Sequence, residues 1–273
     1  MLLGIIGGIV GTVVVLAASL ALSFRGRAEF APGKLRTLQG QATETVGPFG
    51  AFVFFMGAGV FVITVVAIPF GEAIALLDGP VDHSVYRWVE RHQTDGWYDA
   101  LLAIGQMGDM YQIWSFGLIA GALLTFLAPA GRRWVPVTVM LTTIVVEHFQ
   151  QMGMSRIVDR GHPPNTTGTF PSGGCARLIC ITGMAMFLLF AYVKVSKRVR
   201  GICWALLATL AYVEGFTRLY VSKHWLTDIP AGWLYGAVLL VTLAFAVRPL
   251  LAPAVAATSP VGDERAIKSD VLT

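Results

Sequence analysis

An all-α bundle of membrane-spanning helices is the fold class that this sequence predicts, and three observations predict it. Of the 273 residues, 55% are hydrophobic and only 13% are charged. A soluble domain carries about 25% charged residues, so the apolar excess is too large for one water-facing core. Mean hydropathy is +0.68. Apolar runs of about 20 residues, the length that crosses a bilayer, recur along the chain.

Seven such segments stand at roughly 2–23, 50–70, 112–129, 134–153, 175–195, 202–220 and 228–248. The first has no basic residue before it and no small-residue cleavage site, so it reads as a retained transmembrane helix (1–24) and not as a signal peptide. A polar cytoplasmic linker is expected over 25–49, a six-helix core over 50–248 and a disordered cytoplasmic tail over 249–273. The 78–110 stretch is acidic, with Asp78, Asp82, Glu90, Asp95, Asp99 and Asp109 against Arg87 and Arg91. Its spacing of Val85, Trp88, Val89, Trp97, Leu101 and Leu102 predicts short amphipathic helices in the membrane interface. Thirty glycines spread among the helices permit close packing.

Basic residues fix the expected orientation. Arg25, Arg27, Lys34 and Arg36, then Arg132 and Arg133, then Lys194, Lys197, Arg198 and Arg200, occupy alternate loops, and Arg248 follows the last span. Those loops are predicted to be cytoplasmic. The loops at 78–110, 154–174 and 221–227 then face outward. The same charge pattern argues against nucleic-acid binding, because no basic groove carries interleaved aromatics. Cys175, Cys180 and Cys203 match no zinc spacing, and neither a metal nor a cofactor is expected.

The outward loops hold the residues with chemistry. Arg218, His224 and Asp228 lie at a junction between two spans. A carboxylate four residues from an imidazole shares its helical face and steadies the imidazolium that forms on reaction. Taken alone, the pair is equally a surface histidine beside a helix-capping aspartate. Arg156, Arg160 and His162 precede Phe170-Pro171-Ser172-Gly173-Gly174, which opens an apolar helix. Arginine forks suit phosphate, and glycine at a helix start lets an anion approach backbone N–H groups. The plain reading of these is interface arginines and an ordinary turn.

In combination these stretches resemble the signatures of the type-2 phosphatidic acid phosphatase superfamily of lipid phosphate phosphatases, which also includes vanadium haloperoxidases. The third signature (Ser-Arg, five residues, His, three residues, Asp) matches at Arg218, His224 and Asp228, with Thr217 for Ser. The second (Pro-Ser-Gly-His) matches at Pro171, Ser172 and Gly173. The first matches loosely through Arg160 and Pro163. The resemblance covers about residues 50–248. It implies that His224 attacks phosphorus, that Asp228 orients the ring, and that Arg218, Arg160 and the N–H groups near Ser172 and Gly173 hold the phosphoryl oxygens.

Two departures stand out. Gly174 replaces the second histidine, the family's usual leaving-group acid. Ser155 and His162 stand where the first signature has Lys and Arg. Arg156 is a candidate replacement cation, and His162 is either a replacement acid or a phosphate ligand. Without the acid, a lipid diphosphate is favoured over a monoester, and a histidine added at 174 is expected to raise monoester turnover. Arg177, one turn after Gly173, is a further phosphate or headgroup ligand. Glu214, one turn before Arg218, is read as its partner or positioner. Glu147 and His148 sit at membrane depth and His83 and His92 in the interface loop; all four read as structural. Asn165-Thr166-Thr167 fits a glycosylation pattern relevant only in a eukaryotic secretory setting.

The expectation is therefore a multi-pass plasma-membrane lipid phosphatase acting through phosphohistidine on its extracytoplasmic face, with the bilayer and a lipid phosphate or diphosphate as partners. Phosphotransfer to a lipid or glycan acceptor, or silent lipid binding, are the alternatives. Solute transport is disfavoured, because no Gly/Pro-interrupted spans recur in matching halves. The oligomeric state is not legible.

Overall fold

The computed structural model describes residues 8, 10–19, 33–164, 166 and 168–251. These residues form nine α-helices and no strand. The helices are α1 (Val10–Ser19), α2 (Gly33–Ala75), α3 (His83–His92), α4 (Asp95–Ile104), α5 (Met110–Thr125), α6 (Trp134–Val158), α7 (Gly173–Tyr192), α8 (Lys197–Tyr220) and α9 (Asp228–Leu251). The expected N-terminal span 2–23 is described only in part, and most of the expected tail 249–273 lies outside the described residues.

The stretch expected to be a linker is helical from Gly33 onward. α2 is two helices joined at Gly47, whose φ of 76° suits glycine alone among common residues. Pro48 then opens the second half, where its missing N–H costs nothing. The first half is too polar to announce itself as a packed element. It is tied down by Gln39, which is buried and donates from Nε2 to the Phe245 carbonyl at 2.7 Å.

α2, α7, α8 and α9 are long and apolar enough to cross a membrane. α5 has 16 residues and is shorter than that length. α6 has 25 residues but is less apolar, since its inward face carries Thr143, Glu147, Gln150 and Gln151. α9 is the central post, packing along α2 and α7, with α5 and α6 closing the bundle. Met140, Ile181, Met184, Leu188, Leu239 and Leu243 fill its core. α7 and α9 approach so closely that a Cβ at Gly236 would lie 2.6 Å from the Ala176 carbonyl oxygen. Outward, Phe54, Phe61, Val66, Ile119, Leu123 and Phe149 are exposed, an apolar surface that only lipid can cover. The chain is a multi-pass membrane protein.

The interface helices expected over 78–110 are α3 and α4, with Trp88 and Trp97 exposed. They meet the 159–172 and 221–227 loops at one end of the bundle. At the opposite end Arg132 donates to the Leu250 carbonyl at 3.1 Å.

Candidate active site

α8 ends with Ser222 in the left-handed region (φ 54°), a usual helix stop. Lys223 N–H returns to the Arg218 carbonyl at 2.9 Å. Gln93 Nε2 donates to the Tyr220 carbonyl at 2.5 Å and to Ser222 Oγ at 2.9 Å. This turn delivers His224 to the start of α9, where Asp228 opens the next helix. His224 Nδ1 stands 3.5 Å from Asp228 Oδ2, which also accepts from Trp225 N–H at 3.0 Å. The histidine is 7% exposed. Burial, foremost, pushes its imidazole below the ordinary histidine value; Asp228 pulls the other way, and Arg218 and Lys223 add to the lowering. Nδ1 lies on the carboxylate side of the ring.

Arg160 approaches Asp228 from the other side. Its Nη1 is 3.5 Å from Asp228 Oδ1 and donates to Thr227 Oγ1 at 2.7 Å. Its Nη2 donates to Asp82 Oδ2 at 2.5 Å. Asp82 also accepts from Thr227 N–H at 3.0 Å and Thr227 Oγ1 at 2.6 Å. The sequence reads Arg160 as a phosphate ligand. Here three carboxylates (Asp82, Asp228 and, at 3.6 Å, Asp78) and the Thr227 hydroxyl surround both its Nη atoms, on the side of Asp228 away from His224's turn.

Arg218 forms the opposite wall. Its Nε donates to Glu214 Oε1 at 2.7 Å and its Nη2 lies 2.8 Å from Asp109 Oδ1, with a further short bond to the Gly105 carbonyl. Nη1 carries none of these bonds. Lys223 Nζ, absent from the sequence-based set, is 3.4 Å from Asp109. Burial works against the charge on Asp109, yet Arg218 and Lys223 hold its carboxyl below the usual value.

Between the walls lies the start of α7. Ser172 is buried, and its N–H donates to the Asp228 carbonyl at 3.0 Å. Its side chain gives the helix no cap, so the first N–H groups, at Gly173 and Gly174, point free from the helix end. Arg177 is half-buried and donates from Nε to the Gly108 carbonyl at 3.3 Å; a Cβ at Gly173 would lie 2.8 Å from its Nη1. Gly168 passes so close that its Cβ would fall 3.2 Å from His224 Nδ1.

Two predicted residues are not gathered in. Arg156 is exposed on α6, and its guanidinium rests 3.7 Å from Met152 Sδ. His162 is exposed, with Nδ1 3.0 Å from the neighbouring Pro163 carbonyl. Asp82 and Asp109 were visible in the sequence only as members of an acidic stretch, and no spacing links them to Arg160 and Arg218. No cluster of metal-ligating residues occurs among the described residues. Asn165 and Thr167 lie outside them.

This fold, with its cluster of charged side chains at one end of the bundle, is that of the integral-membrane PAP2 proteins. Residues 114–250 match the PAP2 superfamily, and the chain belongs to that family. Among solved structures it is similar to the first transmembrane PAP2-type phosphatidylglycerolphosphate phosphatase from Bacillus subtilis. The TM-score is 0.52 at 16% identity, over 72% of this chain and 93% of that one. No curated protein matches.

Proposed function

We propose that the protein is a lipid phosphate phosphatase working through a phosphohistidine at His224. The observation that carries this reading is the buried imidazole backed by Asp228, opposite Arg218 and the uncapped start of α7. In the proposed reaction His224 Nε2 attacks phosphorus and the bond to the leaving oxygen breaks, the electron pair departing with that oxygen. Water then attacks phosphorus, the P–N bond breaks, and phosphate leaves a neutral ring. Arg218 Nη1, Lys223, Arg177 and the N–H groups of Gly173 and Gly174 bind the phosphoryl oxygens. Arg160 holds Asp228, which holds the ring. Phosphoryl transfer depends mainly on positioning and charge stabilisation, so a cationic cradle of this kind is sufficient.

A lipid substrate fits the surroundings. An apolar groove between α2, α6 and α9 is lined by Val66, Ala67, Phe70, Met154, Leu234 and Val238. It reaches Phe170 and Pro171, directly before Ser172, so a tail lying in lipid brings its headgroup to the start of α7. The basic residues of the alternate loops support an extracytoplasmic position for this end.

The test is acid-quenched incubation of the purified protein with lipid labelled at the terminal phosphate. Wild type should trap an acid-labile label on the protein and release free phosphate, and His224→Ala should lose both by at least about 10³-fold. Label passing to an alcohol or glycan acceptor would mean transfer in place of hydrolysis. Unchanged turnover in His224→Ala would remove the proposal.

A further inference from the structure

The carboxylate of Glu214 occupies a slot between two glycines. A Cβ at Gly174 would fall 2.7 Å from Glu214 Oε1 and 3.1 Å from Arg218 Nε. A Cβ at Gly108, on the turn before α5, would meet the same carboxylate oxygen more closely still and lie 2.6 Å from the Gly174 carbonyl oxygen. Real Cβ atoms are not found that close to backbone, so Gly108 has to be glycine, and at Gly174 a side chain would have to displace the tips of the Glu214–Arg218 pair. Glu214 is 0% exposed. It accepts from Arg218 Nε at 2.7 Å and from the Gly108 N–H, and its Oε2 is buried without a partner. The space beside Gly174 is therefore filled by a carboxylate bonded to arginine, and a larger side chain at 174 has to displace that pair. The other candidate acid, His162, is turned toward Pro163 in the exposed loop.

We infer that Gly174 and Glu214 form one coupled device: the carboxylate, admitted by the missing side chain, fixes Arg218 and takes the space in which a side chain at 174 would stand as acid for the leaving group, so that the site selects lipid diphosphates over lipid monophosphates. Glu214 is a positioning residue here, acting through Arg218. The selectivity rests on the phosphatase reading above; the pairing does not. The chemistry follows from where the electron pair goes. When His224 attacks the terminal phosphorus of a diphosphate, the departing oxygen belongs to a phosphate, which carries the charge itself. When it attacks a monophosphate, the departing oxygen is an alkoxide, which needs a proton, and position 174 carries no side chain to give it, while Lys223 is held by Asp109. It also follows that a histidine at 174 alone does not restore monoester turnover, contrary to the expectation from sequence, because it collides with the Glu214–Arg218 pair.

The experiment uses full-length protein in detergent micelles, with a prenyl diphosphate and the prenyl monophosphate of equal chain length as probes. Wild type should favour the diphosphate in kcat/KM by about 10²-fold or more, the usual worth of a positioned acid. Gly174→His should lose activity on both. Gly174→His with Glu214→Ala should regain activity and narrow the preference at least about tenfold. Glu214→Ala should raise KM for the diphosphate, and Glu214→Gln, which keeps an acceptor for Arg218 Nε, should restore it. A melting cycle reads the pairing without turnover: Gly174→Ala should lower the melting temperature when Glu214 is present and not when residue 214 is Ala. Equal use of both probes by wild type, or an active Gly174→His single variant, overturns the selectivity; additive melting shifts overturn the pairing. Turnover of neither probe sinks the phosphatase reading and the selectivity with it, and the melting cycle still decides whether 174 and 214 are coupled.

Discussion

His224 is the residue at which burial and charge act most visibly together. A buried imidazole loses hydration of its charged form, and two nearby cations disfavour that form further, while one carboxylate favours it. The net lowering keeps the ring lone pair that the proposed reaction uses unprotonated to a lower pH than in an ordinary histidine. As pH falls through the lowered value the ring protonates, so the acid limb of kcat/KM should lie below about 6.5. Asp228→Asn removes the carboxylate that opposes the lowering. It should move the limb further down while reducing kcat by roughly 10²-fold or more, because the ring loses its orienting partner. A limb lying above 7 would contradict the assignment. The sequence made His224, Asp228 and Arg218 legible because their spacing spans one turn and one helix start. It did not reveal the surroundings of Arg160, since those depend on which carboxylates come to meet it.

The meeting happens at the level of elements. Asp82, on the helical turn before α3, is 0% exposed. It binds Arg160 from 78 residues away and Thr227 from 145 residues away, so one carboxylate joins all three loops at the site end. Trp225 adds a second tie, donating from Nε1 to the Gly161 carbonyl at 2.8 Å. Removing one partner of a buried ion pair costs about 3–5 kcal/mol where the other is left unpaired; Arg160 keeps Asp228 at 3.5 Å and Asp78 at 3.6 Å, so the loss falls below that, though Thr227 loses its acceptor as well. Asp82→Ala should therefore lower the melting temperature in detergent markedly, and Asp82→Asn, which keeps an acceptor for Thr227, should lower it less. Equal stability of Asp82→Ala and wild type would show that the three loops are held by other contacts. The spans were readable because twenty apolar residues have few alternatives in a bilayer. The helix over 33–46 was not, because it is polar, and a glutamine reaching the end of α9 is a tie that no local pattern announces.

For the whole molecule, the membrane sets both topology and access. Gly131 and Pro164 are exposed at opposite ends. A cysteine replacing Pro164 should react with a membrane-impermeant maleimide in intact cells, and one replacing Gly131 only after permeabilisation. The reverse pattern would invert the orientation. The groove beside α2 has its own test. Ala67→Trp should raise KM for long-chain lipid phosphates while leaving a short-chain, water-soluble phosphate nearly unaffected. Equal effects on both would separate the groove from the substrate's tail.

What the chain determined alone was the all-α membrane bundle and the grouping of its reactive loops, because hydropathy, positive charge and short-range spacing act locally along the sequence. What the tertiary structure decided was the partnership of each charge. Whether Arg160 braces or binds, whether Arg156 and His162 reach the pocket, and which side chain fills the space at Gly174 depend on residues brought together from distant loops. In a buried, weakly screening site, a charge takes its role from whichever neighbours the fold delivers.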